Sequence, residues 1–161
     1  MGGVAPLSPV DIPARVDDDF PGTVTLKFDR FENSTVVILD GINLDGGLEF
    51  SAVYSMPGEK PSVPSVILLN LSSSSKEWTY LKCHDVTLLA DGKRVELGAA
   101  HHDGDTGRDG VRERVSVSVS TLTLLSIARA FILEGRLCGT EFTLRSRELT
   151  ALRNFASRMR P

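Results

Sequence analysis

The sequence predicts an α+β protein, an antiparallel β-sheet or sandwich of about seven to ten strands with two short helices, one of them C-terminal. Three observations carry this expectation. Val115, Val117 and Val119 alternate with Ser116, Ser118 and Ser120, the period of a strand with one buried and one wet face. Immediately afterwards the spacing of Leu122, Leu125, Ile127 and Ala128 turns helical. Ala90-Asp-Gly-Lys93 is a two-residue hairpin signal, because Asp-Gly supplies the positive φ that a type I′ turn needs.

A chain of 161 residues is one domain by length and can bury a core without staples. Its 41% hydrophobic and 24% charged residues place it with ordinary globular proteins. Residues 1–21 are set apart by Pro6, Pro9, Pro13 and Pro21 and by the acidic run Asp17-Asp18-Asp19. This stretch reads as an extended or disordered arm, leaving residues 22–161 as the single β-rich domain.

The domain opens with Val24, Leu26 and Phe28 alternating with Thr25, Lys27 and Asp29, a strand wet on one face. Val36 to Leu39 is a second strand running on towards Leu44, and Asn43-Leu-Asp-Gly-Gly47 lets the chain reverse. Leu48, Phe50, Ala52 and Tyr54 alternate again, up to the turn residues of Met56-Pro-Gly-Glu-Lys-Pro61. Val66 to Leu71 is apolar on both faces, as a central strand covered on both sides would be, and Ser72 to Ser75 reads as a solvated loop. Glu77 to Leu89 holds at least one strand, with Trp78 and Tyr80 on one face, and Lys93 to Leu97 is the return strand of the Asp-Gly hairpin. Gly98 to Gly110 is polar and glycine-rich and reads as a mobile loop. After the Val-Ser strand come a helix over Thr121–Ala130 and a hairpin about Cys138-Gly139. The last element is a helix over Ser146–Arg160, with Ser146 as N-cap and Glu148 in the first turn. Leu149, Leu152, Ala156 and Met159 form its apolar stripe, with Phe155 beside it.

No constellation in the sequence is specific enough to name a reaction. Asp103, Asp105 and Asp109 present carboxylates at the spacings of a calcium loop, but Arg108 stands where the invariant glycine belongs and Arg114 where the closing glutamate belongs. The expectation is that this loop holds no ion; a calcium site is the alternative. His101 and His102 are adjacent, so on an extended backbone they point to opposite sides and do not easily serve one metal; Cys83-His84 shares that defect, and a composite site would need the fold to bring the two clusters together. No serine lies in a Gly-x-Ser-x-Gly elbow and no phosphate-binding glycine loop is present, so an enzyme is the minority reading and no cofactor is expected.

Arg145, Arg147, Arg153, Arg158 and Arg160 make the C-terminus basic, most simply as a solvated helix face. A net charge of −3 argues against nucleic acid as a partner. No apolar run reaches the ~20 residues that span a bilayer, and the first residues lack the basic and apolar regions of a signal peptide. These features favour a cytoplasmic protein without a membrane partner. Cys83 and Cys138 are either one disulfide or two small buried thiols; their spacing does not decide, and a core of this size does not require the bond. The leading expectation is a non-catalytic binding or structural domain acting through a protein partner or self-association. A small-molecule or metal-binding domain built on Asp103–Asp109 is the runner-up, and a hydrolase about the histidines comes third.

Overall fold

The computed structural model describes residues 21–64 and 66–159. They form ten strands and two α-helices arranged as two antiparallel sheets. The six-stranded sheet has the order β1-β2-β3-β4-β8-β7, from β1 (Thr23–Asp29), β2 (Ser34–Asn43), β3 (Glu49–Pro57), β4 (Ile67–Ser75), β7 (Ala100–Gly107) and β8 (Gly110–Val119). The four-stranded sheet has the order β10-β9-β5-β6, from β5 (Val86–Ala90), β6 (Lys93–Arg94), β9 (Leu133–Leu137) and β10 (Thr140–Leu144). Helices α1 (Thr121–Arg129) and α2 (Ser146–Ala156) complete the core. The expected α+β class is therefore observed.

Strand periodicity decides which side of each strand meets the core. Phe50, Ala52, Tyr54 and Met56 point inward from β3, while Ile67, Leu69 and Leu71 do so from β4. Val111, Val115, Val117 and Val119 are the inward residues of β8. Leu88, Leu133, Leu137, Phe142 and Leu144 of the smaller sheet join the same cluster, so one core serves both layers. Tyr54 donates its hydroxyl to the carbonyl of Phe155 and meets the Phe155 ring edge-on, which fixes α2 against the inner face. Burial pushes the Tyr54 phenol upward, with the Arg158 charge pulling the other way, so the group stays neutral and keeps its donor. Leu152 is fully buried beneath α2. We expect Leu152→Ala to cost ~2–5 kcal/mol by urea unfolding; an unchanged midpoint would show that α2 is not packed on the sheet.

The turns follow the sequence chemistry. Asp91 and Gly92 have φ of 50° and 84°, as a type I′ turn demands. The Asp91 carboxylate also accepts the backbone N–H of Phe131 and of Ile132, pinning the β5–β6 turn to the entry of β9. Ser120 caps α1 by accepting the Thr123 N–H at 3.1 Å.

Several expectations are corrected. Ser72–Ser75 is not a loop but the end of β4, because β8 offers a ladder partner as far as the Ser75–Val111 pair. Residues 98–110 are not a loop throughout: Ala100–Gly107 is edge strand β7, paired along its length to β8. Its alternation is hidden because its inward residues, such as His102 and Gly104, are polar or small. Val66–Leu71 is not covered on both faces, since Leu68 is 38% exposed and Val66 is exposed as well. Trp78 and Tyr80 lie in the irregular segment 76–85 ahead of β5, and the return strand β6 is only Lys93–Arg94. Arg145, not Ser146, occupies the cap of α2, its N–H donating to Glu148 Oε1 at 2.7 Å, and the helix ends at Ala156. Arg153 is not simply solvated: its guanidinium donates to the carbonyls of Ala128 and Ala130 and closes the C-terminus of α1. Cys83 and Cys138 are bonded to each other. The expectations for the N-terminal arm before Pro21 and for Arg160 fall outside the described residues.

Candidate functional site

The most unusual position in the fold is Glu113. On β8 it is in phase with Val111 and Val115, so its carboxylate enters the core side of the sheet, and the residue is only 3% exposed. A buried carboxylate is tolerable only when its oxygens are satisfied. Here Glu113 Oε2 accepts the Thr79 N–H at 2.7 Å, and Oε1 accepts the Tyr80 N–H and meets His102 Nε2, both at 2.9 Å. Burial alone pushes the carboxyl pKa up. The hydrogen bonds from Thr79, His102 and Tyr80, with the His102 charge, outweigh it and hold the group below its ordinary value.

The partners of Glu113 explain its role. Segment 76–85 has no strand ladder, so its backbone donors need another acceptor, and the carboxylate supplies it. Tyr80 is buried and its hydroxyl shares a 2.8 Å hydrogen bond with Thr140 on β10. Trp78 lies over β7, where an added Cβ on Gly104 would come within 2.8 Å of its ring; only glycine admits that approach. The far end of the segment is tied to the β9–β10 turn by the Cys83–Cys138 disulfide and by the Cys138 N–H donating to the Asp85 carbonyl.

Two of the three histidines meet at this place. His84 stacks on His102 with ring centroids 5.8 Å apart, and Trp78 tilts against the other ring at 5.9 Å. His101 points to the opposite face of β7, as adjacent residues on a strand must. A carboxylate–imidazole pair is half of a general-base assembly. In this one, however, the side chains of His102 and Glu113 are only 10% and 1% exposed. Among the described hydrogen bonds no hydroxyl meets His102, and the Cys83 sulfur is committed to the disulfide. His84 Nδ1 is buried without a hydrogen-bond partner, so the ring is held by stacking. The cluster is built as a latch for segment 76–85.

The carboxylates singled out from the sequence lie on the other side of the same sheet. Asp103 and Asp105 project outward from β7, and Asp109 sits in the β7–β8 turn. Asp103 meets Arg114 at 3.4 Å, an exposed pair of the kind that contributes little to stability. Among the described residues no three His, Cys, Asp or Glu side chains come together as a metal-holding group. A concavity of about 430 Å³ lies on this outer side, with Glu49, Ser72, Ser74, Asp103, Asp105, Arg112 and Arg114 among its lining residues.

Glu113 was the residue missed in the sequence, although its signal is there: a glutamate in phase with four valines. No protein-family model matches the chain, and no curated protein or solved structure matches it.

Proposed function

We propose that the protein is a non-catalytic protein-binding domain whose docking surface is the outer face of the six-stranded sheet. One observation carries the reading. Ile38, Val53 and Leu68 stand directly opposite one another on β2, β3 and β4, flanked by Val36 and Val66, and form an apolar band on the side away from the core. Leu68 and Val66 are exposed, and Val36, Ile38 and Val53 are half-buried. No described helix or strand is stacked on this side of the sheet. An exposed apolar patch rimmed by polar residues is the surface feature expected of a binding site. The free edges support the same choice of face. Outer edge strand β7 carries Asp103 and Asp105 and β1 carries Lys27, charges that oppose pairing with a further strand.

The reading is tested by placing a photo-crosslinking residue at position 68 and, as control, at position 31, where Phe31 is 84% exposed on the β1–β2 turn. In the cells that produce the protein, position 68 should give a discrete protein adduct and position 31 should not. Equal labelling, or none at position 68, overturns it.

A second reading, a small polar ligand or cation at the Asp103–Asp109 segment, draws on the charged concavity. A ligand- or calcium-dependent rise in melting temperature, abolished when Asp103, Asp105 and Asp109 are all replaced by Asn, would put it first.

No described helix is long and apolar enough to cross a membrane.

A further inference from the structure

We infer that the partner of the outer face is a second copy of this chain, docked face to face about a two-fold axis that runs along the strands between β3 and β4. The inference rests on the reading of that face as a docking surface. It follows from how the face is divided. At one end lies the apolar band through Val53 and Leu68; at the other lie the charges of Glu49, Arg112, Arg114 and Asp105. An axis across the strands would lay the charged end of one copy over the apolar end of the other and bury unpaired charge. An axis along the strands lays like on like. It exchanges β3 with β4 and β2 with β8, so Val53 of one copy faces Leu68 of its partner.

The same operation matches charge. Arg114 of β8 comes to lie over β2 of the partner copy. By the ladder register it falls there over Asn43, level with Glu49 one strand away on β3 and near Asp40 further along β2. Its present partner Asp103 is an exposed ion pair at 3.4 Å and is easily exchanged. The dimensions suffice as well. Five strand spacings of about 4.8 Å by nine residues at about 3.3 Å give roughly 700 Å² per copy, close to the ~800 Å² of a standard interface. A closed two-fold interface also uses up the face and leaves no open-ended assembly.

Sedimentation equilibrium on the full chain tests this directly. The unmodified protein should be a dimer, and Leu68→Glu should be a monomer with unchanged circular dichroism, since the Leu68 side chain is exposed and its removal opens no core. Arg114→Glu should weaken the dimer at least tenfold, and adding Glu49→Arg should restore it. A monomer across the micromolar range, or a dimer indifferent to Leu68→Glu, overturns the inference. If the crosslinker at position 68 then captures a different protein, the docking surface stands and the second copy does not. If it captures nothing, both fall.

Discussion

Glu113→Ala is expected to destabilise the protein by about 3–5 kcal/mol, the range for breaking a buried ionic hydrogen-bond network. The substitution removes the acceptor for the Thr79 and Tyr80 N–H groups and the partner of His102 in one step, and three polar groups are left facing an apolar core. Glu113→Gln keeps the volume but only one carbonyl oxygen and should fall between. The pH dependence has a definite direction. The folded-state pKa lies below the ordinary value of 4.5, so the network's contribution is complete above that value. It is lost as pH falls through the depressed pKa, because the unfolded state binds the proton more readily. Urea midpoints between about pH 5 and pH 3 should therefore drop more steeply for the unmodified protein than for Glu113→Gln. Parallel slopes would show that the fold does not favour the ionised carboxylate over the protonated one, and the account of the latch would fail with them.

That network marks the boundary of what could be read from the sequence. The elements were readable wherever a face was apolar: β1, β3, the Val-Ser part of β8 and the β9–β10 hairpin alternate, β2 carries a continuous apolar run over Val36–Leu39, and each is a strand. The same rule failed on β7. An edge strand with Asp and His outward and Ala, His and Gly inward carries no hydrophobic period, and its strand character comes entirely from the ladder with β8. The serine end of β4 is the same case, since its pairing is decided by the length of its neighbour. Glu113 was hidden differently. In Arg112-Glu-Arg-Val115 it reads as one charge among three, and only the phase of Val111 and Val115 shows that it must turn inward while both arginines turn out. The meeting of His84 with His102 was beyond the sequence altogether, because it depends on the fold of an irregular segment that joins two sheets.

The disulfide is the second determinant of that segment, and opening it should have an effect of the same order. Cys83 and Cys138 are 55 residues apart, and closing a loop of that length is worth about 4 kcal/mol on the chain-entropy account. The bond links the two sheets indirectly. Segment 76–85 hangs from β8 through Glu113, and the bond fastens its other end to the β9–β10 turn, where Cys138 itself holds a φ of 53°. Bonds of this kind persist in oxidising compartments and are kept reduced in the cytosol. We expect full reduction to lower the urea midpoint by an amount that Cys83→Ser with Cys138→Ser reproduces, and the double variant to ignore reductant. Because Glu113 and the disulfide hold one segment from its two ends, their losses should not add: once either end is free, less ordered structure remains for the other to protect. A triple variant combining Glu113→Ala with both serines should therefore fall short of the sum. Strict additivity, or a midpoint that complete reduction leaves unmoved, would mean that the two anchors act on separate parts of the fold and that segment 76–85 is not the element joining its sheets.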